Sequence, residues 1–238
     1  MKIAIIGSGI SGLGAAYLLN KAGFNITVFE KNNYIGGHSR TIEIETELGK
    51  TPVDTGFIVF NYRNYPLLTK LFDELNIAVE KTDMSFGASI ANGWFEYGTP
   101  KPAAIFAQKK NFLRPQFYKM LYDILKFNKK AKNYLNSNIS LGECLAELGV
   151  SDWFKNYYLL AMGGAIWSTP IEKMMDYPAR SFIQFFENHG LLTVNEQPQW
   201  YTVTGGSREY IKKLTANFKD KILLNNGVKK VHREGMKI

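Results

Sequence analysis

The chain has 238 residues, 45% apolar and 21% charged, an ordinary composition for a globular protein and enough for one large domain or two small ones. Its single cysteine, Cys144, excludes an internal disulfide and fits a reducing, cytoplasmic setting; no signal peptide is visible at the apolar start, and no apolar run reaches the length of a membrane span. The net charge of +8 is spread over lysine pairs without a nucleic-acid motif, so we expect no nucleic-acid partner and a solvated basic surface.

The N-terminal stretch Lys2 to Thr41 sets the frame. Ile3 to Ile6 form a short apolar run that suits a strand buried on both faces of a parallel sheet. Gly7, Gly9 and Gly12 follow: the first permits a tight turn, the second a close approach of backbone to pyrophosphate, the third close packing of helix on sheet. A helix from about Ile10 to Ala22 then points the N–H groups of its first residues, Ile10 and Ser11 among them, at the phosphates. Ile26 and Val28 mark a second strand that ends on Glu30, placed to accept ribose hydroxyls, with Lys31 beside it. This is the strand, glycine turn, helix, strand and acid order of a dinucleotide site. The core motif does not distinguish NAD from FAD.

Farther on, Gly36-Gly37-His38-Ser39-Arg40-Thr41 resembles the E-x5-G-G-x-x-x-T extension of flavin-dependent amine oxidases, phytoene desaturases and protoporphyrinogen oxidases. Those families usually carry Arg where this chain has His38, and Arg40 stands two places on. Asp54-Thr55-Gly56-Phe57 resembles their segment beside the flavin ring, which implies a close backbone approach at Gly56 and bulk from Phe57. DTGFIVFNYRNYP, MGGAIWSTP and TVTGGSREY resemble bacterial predicted NAD/FAD-binding proteins of the flavin amine oxidase superfamily. The resemblance implies FAD as cofactor. It also implies a Rossmann-like α/β FAD-binding domain, residues 1–82 and 204–238, interrupted by a mainly helical α+β substrate or cap domain, residues 83–203.

Within that frame, Ile42 and Ile44 alternate with Glu43 and Glu45 as in a half-exposed strand, and Leu48-Gly49-Lys50 makes the turn into the next. Pro66 opens a helix through Leu75. Asn92-Gly93, between Met84–Ala91 and Trp94–Tyr97, signals a hairpin. Ser140 and Glu143 fit a capping box, with Gly149 as the stop, and Ser151 or Asp152 caps the next helix. Phe106, Phe112, Leu113, Phe117, Met120, Leu121, Ile124 and Leu125 are interleaved with lysines, a pattern that suits either a core or peripheral attachment to an anionic membrane surface. The aromatic middle section, with the small-residue break before Ile166 to Pro170, suits either a core or a pocket for an apolar substrate. Thr204 to Ser207 precedes a helix with Tyr210, Ile211 and Leu214 on its apolar face. Ile222 to Leu224, Val228 to Val231 and a turn at Glu234-Gly235 read as a meander leading to a strand at Met236. The resemblance implies that backbone at Val228 contacts adenine.

No other catalytic constellation competes: His38, His189 and His232 lack zinc spacing, and Cys144 lies within an amphipathic helix as a packing residue. The family resemblance implies an FAD-dependent oxidoreductase whose flavin accepts hydride from an apolar amine, lipid or polyene. Its members are normally longer, so the resemblance matches their N-terminal portion and leaves catalytic residues unassigned. Two alternatives are a non-catalytic FAD-binding subunit that needs a separate C-terminal chain as partner, and FAD chemistry without net oxidation, as in sugar mutases.

Overall fold

The computed structural model describes all residues except 48, 100, 168, 194–197 and 234–238. The expected turn at Glu234-Gly235 and strand at Met236 therefore lie outside the described residues, as do Leu48 and Ser168 of two further expected segments. In chain order the elements are β1 (Lys2–Ile6), α1 (Ile10–Lys21), β2 (Asn25–Phe29), β3 (Thr41–Thr46), β4 (Gly49–Asp54), α2 (Pro66–Glu74) and β5 (Val79–Thr82). There follow β6 (Gly87–Ile90), β7 (Phe95–Gly98), α3 (Pro102–Ile105), α4 (Pro115–Lys130), α5 (Leu141–Leu148) and α6 (Asp152–Phe154). The last are α7 (Leu160–Trp167), α8 (Ile171–Met174), α9 (Ala179–Asn188), β8 (Trp200–Val203), α10 (Arg208–Thr215) and β9 (Ile222–Leu223).

The chain divides into two compact units, Met1–Asp83 with Gln199–Ile238, and Met84–Pro198. In the first, β1, β2 and β9 form a parallel sheet in that order, β1 pairing with β2 from Lys2 opposite Asn25 to Ile6 opposite Phe29. Parallel pairing needs a crossover, and α1 supplies it. Leu13 and Ala16 of α1 are fully buried against Ile26 and Val28 of β2, joined by Phe72 of α2 and by Tyr210, Ile211 and Leu214 of α10.

Two expectations for this unit are corrected. β1 is not buried on both faces: Ile3 and Ile5 pack against the core, whereas Ala4 is exposed and Ile6 is 60% exposed. The alternation of a strand places Ala4 and Ile6 on the opposite face from Ile3 and Ile5, and among the described residues only the Ile3–Ile5 face is covered. The meander is not formed either. After β9 the chain turns at Leu224-Asn225, and residues 226–233 have no regular structure. β-forming residues need a neighbouring ladder, and among the described residues no strand pairs with Val228.

Residues 200–203, assigned from sequence to the helical insertion, instead form β8. It pairs antiparallel with β5, Val79 opposite Val203 and Thr82 opposite Trp200, and so belongs to the first unit. A separate hairpin, β3 and β4, runs in register from Thr41 opposite Asp54 to Thr46 opposite Gly49.

The second unit is a helical cluster with one hairpin, β6 and β7, joined through Ala91 to Trp94 with Asn92 and Gly93 at positive φ. Its aromatic residues form its core: Phe95, Phe117, Phe127, Phe154, Phe182 and Phe186 are all buried. The α5 capping box is complete, Glu143 N–H donating to Ser140 Oγ while Ser140 N–H donates to Glu143 Oε2, and Gly149 ends the helix at φ +58°. Ser151 caps α6 by accepting from Phe154 N–H. Cys144 is fully buried in this core, and burial pushes its thiol up to about 11.

Candidate functional site

The site grows from the turn between β1 and α1. Gly7 sits at φ +94° with its N–H donating to Phe29 O at 2.8 Å, a turn that ties the end of β1 to the end of β2. A Cβ at Gly12 would lie 2.0 Å from Gly7 O, so this helix can start against the strand only with glycine at that position. Gly9 is different: it caps α1 without a side chain, and a Cβ there would meet nothing within 4 Å. No acidic residue lies in the first turn of α1. The N–H groups of Ile10, Ser11 and Gly12 at this helix start thus have no capping side chain competing for them, an arrangement that attracts an anion.

The second glycine pair comes up beside the first. Gly36 N–H donates to Ser8 O at 2.9 Å, Gly9 and Gly36 form an isolated parallel bridge, and a Cβ at Gly37 would stand 3.1 Å from Gly9 Cα. Gly9, Ile10, Ser11, Gly36, Gly37 and His38 line a cleft of about 600 Å³, closed on its other side by Phe57, Tyr65, Leu68 and Tyr210. That volume is in the range of small-molecule sites. A second cleft, about 680 Å³, shares Ser39 with it and is bordered by Arg40, Arg208, Lys212 and Lys219. It contains none of the motif glycines, so the glycine-lined cleft is the candidate site.

Glu30 stands just past β2 and is 6% exposed. Its Oε2 accepts from Ser8 N–H at 2.9 Å and from Ser8 Oγ, and its Oε1 accepts from Asn32 N–H at 2.8 Å. Burial alone would raise this carboxyl, but the hydrogen bonds from Ser8, Asn32 and Lys31 outweigh it and hold the carboxyl below its ordinary value. The chain after β9 closes over this corner: Asn226 N–H donates to Glu30 O at 2.7 Å and Asn225 N–H to Asn32 O at 3.0 Å. Gly227 lies against Lys31, which is itself exposed, and Val228 beyond it is 40% exposed.

The structure brings seven of the sequence-predicted residues, Gly9, Ile10, Ser11, Gly36, Gly37, His38 and Phe57, to one cleft. Gly7 and Gly12 shape the turn behind it, and Gly56 supports its wall. A Cβ at Gly56 would fall 2.3 Å from His38 O, to which Phe57 N–H donates at 3.3 Å. Arg40 does not reach into this cleft but stacks on Tyr34, 4.4 Å from the ring centroid.

Sequence reasoning missed the role of Asp54. Its carboxylate accepts from Ser207 N–H at 2.9 and 3.0 Å, from Ser207 Oγ at 3.0 Å and from Thr41 Oγ1 at 2.5 Å. Thr41 Oγ1 in turn accepts from Arg208 N–H at 3.0 Å. Asp54 therefore holds the start of α10 against the β3–β4 hairpin. α10 carries Tyr210, whose hydroxyl bonds Ser39 Oγ and whose ring closes the cleft. Asp54 stands out in the sequence only through the Asp54-Thr55-Gly56 motif, and nothing in either segment records its pairing with Ser207.

Among the described residues, no group of three or more His, Cys, Asp or Glu side chains is placed to hold a metal ion. No described helix is long and apolar enough to cross a membrane.

Comparison with known proteins places this geometry. Residues 5–75 match the NAD(P)-binding Rossmann-like domain. The chain is 35% identical over 143 residues to a 1-hydroxycarotenoid 3,4-desaturase of Flavobacterium sp. strain P99-3, covering 52% of this chain and 27% of the desaturase. Cyclohexylamine oxidase from Brevibacterium oxydans IH-35A superposes with a TM-score of 0.67 at 20% identity, over 94% of this chain and 51% of the oxidase. Putrescine oxidase, solved with putrescine bound, superposes with a TM-score of 0.63 at 18% identity, over 94% and 51%. The chain thus spans about a quarter of the desaturase and about half of each oxidase. Residues 5–75 are thus similar to the NAD(P)-binding Rossmann-like domain, and the chain shares its fold with these amine oxidases.

Proposed function

We propose that the glycine-lined cleft binds FAD and that the protein is an FAD-dependent oxidoreductase, or the cofactor-binding part of one, acting on an apolar amine, lipid or polyene. The observation that carries this reading is the cradle formed by Gly9 and Gly37. One glycine opens onto free space at the uncapped start of α1, and the other lies 3.1 Å from it, measured from where its Cβ would be. Two backbones without side chains beside a helix N-terminus fit a diphosphate in close contact. The names of the similar proteins, a carotenoid desaturase and two amine oxidases, support the reaction class.

In this reading the first-turn N–H groups of α1 bind the diphosphate, and Glu30 orients the ribose. The hydrogen bonds from Ser8, Asn32 and Lys31 already occupy the Glu30 carboxylate, and an acceptor direction for the ribose opens on Oε2 when the Ser8 hydroxyl rotates away. Phe57, Tyr65, Leu68 and Tyr210 supply an apolar wall that keeps water from the cofactor. FAD supplies the group that takes up a hydride from the substrate.

The test is the visible spectrum of the purified chain, with and without added FAD. We expect a flavin band that persists through gel filtration, and its loss in Gly9→Ala, which has room for the methyl at an ordinary φ of −68° and so keeps its fold. A colourless protein that does not take up FAD overturns the proposal. Anaerobic bleaching by apolar amines, fatty acids or polyenes then identifies the substrate class.

The outer edge of β1 favours a second reading. Among the described residues β1 pairs with β2 alone, so its other edge offers a full strand of unpaired N–H and C=O groups. A separate chain that adds a strand there would complete the sheet, and bound flavin that no substrate bleaches until such a chain is supplied distinguishes this reading.

A further inference from the structure

The basic residues are scattered, but the excess of positive over negative charge arises in one segment. Residues 109–132 hold eight of the 29 basic residues and one of the 21 acidic ones, leaving 21 basic against 20 acidic in the other 214. Nearly all of the net +8 therefore belongs to α4 and its flanks. Seven of the eight basic residues are lysines. The one arginine, Arg114, is turned inward, donating to Trp94 O at 2.7 Å and to Asn111 Oδ1 at 3.0 Å.

The same segment is amphipathic in an unusual sense. Phe117, Met120 and Phe127 face the core and are buried, as a helix of the second unit requires. The opposite face is apolar too: Tyr118, Tyr122 and Leu125 are 46%, 60% and 56% exposed, and the preceding Phe112 and Leu113 are 53% and 87% exposed. Tyr118, Tyr122, Leu125 and Lys129 follow helical spacing, so they lie within about 60° of one another along about 16 Å of helix. Lys119, Lys126 and Lys130 run down one flank of that face. Of these basic groups, Lys119 pairs with Asp123 and Lys132 with Glu187 at 2.8 Å. Lys109, Lys110, Lys129 and Lys130 are exposed and have no ion-pair partner among the described residues.

From this juxtaposition we propose that the outer face of α4, with Phe112 and Leu113, is a docking surface for an anionic lipid bilayer. Lysines are attracted to lipid headgroups as point charges and need no bidentate geometry, while leucine, phenylalanine and tyrosine gain by entering the headgroup and acyl boundary. A nucleic acid would use the charge but gives exposed leucines nothing to bury in, and a solvated basic face would not carry them. The surface works independently of the cofactor cleft.

The experiment is cosedimentation of the full chain with vesicles of phosphatidylcholine, alone or mixed with phosphatidylglycerol. Binding is expected to the mixed vesicles and not to phosphatidylcholine alone, and to weaken as salt shrinks the Debye length from about 10 Å at 0.1 M to about 3 Å at 1 M. Each lysine near the surface is worth about fivefold, so K109E/K110E/K129E/K130E should bind at least about 100-fold more weakly. L113S/Y122S/L125S should bind at least about tenfold more weakly at unchanged charge. Leu113→Glu, at a site 87% exposed, gives a loss of binding with the fold intact should the triple variant not fold. Equal binding to both vesicle types overturns the proposal. So does apolar-variant binding equal to that of the parent, and so does binding to duplex DNA at the same face that neither apolar variant weakens.

Discussion

Two junctions hold the first unit together, and they are made in opposite ways. At the start of α1 everything needed lies within a few residues: Gly12 must be glycine because Gly7 O is 2.0 Å from where its Cβ would be, and Gly7 must turn at φ +94°. At the start of α10 the decisive group is Asp54, which bonds a helix start 153 residues away in sequence. The first junction is steric and tolerates no atom more. The second is polar and tolerates no hydrogen bond fewer.

The largest expected effect tests the steric junction. Gly12→Val should cost about 3 kcal/mol or more and abolish flavin uptake, because the contact is with backbone and neither partner can move aside. Urea unfolding and the flavin spectrum check this; a variant within 1 kcal/mol of the parent, roughly the scatter expected of ordinary surface changes, would sink the steric account. Next, Asp54→Ala should cost about 2 to 3 kcal/mol, since it strands the Ser207 and Thr41 donors, while Asp54→Asn should recover part of that. If Ala and Asn prove equally damaging, the hydrogen bonds are not what matters at the second junction.

A charge-dependent contribution is expected from Glu30. Its folded carboxyl lies below the ordinary value of 4.5, so its stabilisation is fully present above that value and is lost as pH falls through the folded one. The stability gap between the parent and Glu30→Gln should therefore be largest near neutral pH and shrink below about pH 4.5. A gap that does not change with pH would place the effect in geometry alone.

Ser140→Ala should cost about 1 kcal/mol through loss of the capping box, leaving flavin binding unchanged because the helix lies in the other unit. The smallest effect sharpens the contrast with Gly12. Gly14, two residues on in the same helix, has nothing within 4 Å of its would-be Cβ, so Gly14→Ala should stabilise by about 0.5 to 1 kcal/mol.

The same contrast explains what could be read from the sequence. Gly7 to Gly12, the Asn92-Gly93 hairpin and the Ser140 capping box each state their structure within a few residues, because their constraints are local sterics and local hydrogen bonds; Glu30 and Gly36-Gly37, which meet Ser8 and Gly9 from more than twenty residues away, are legible as parts of known motifs. Asp54 could be seen as part of a motif but not as the partner of Ser207, since nothing within either segment records the register between them. The end of the chain misled for a related reason. Val228 to Val231 have strand propensity, but propensity is realised only beside another strand, and among the described residues no strand pairs with them. The run from Phe106 to Leu125 could not be divided into core and surface by composition. Only the placement of Phe117 and Met120 inward and of Leu113 and Leu125 outward makes the division.

The bare edge of β1 has a consequence for handling the protein. Ile3, Ala4, Ile5 and Ile6 offer a short apolar strand that, among the described residues, has unpaired backbone on one side and, at Ile6, a side chain 60% exposed. Such an edge is a template for edge-to-edge pairing between copies, tempered here by Lys2 at its start. Self-association should thus rise with protein concentration. An Ile6→Lys substitution, which adds a charge to that strand, is the change most suited to keeping the chain monodisperse.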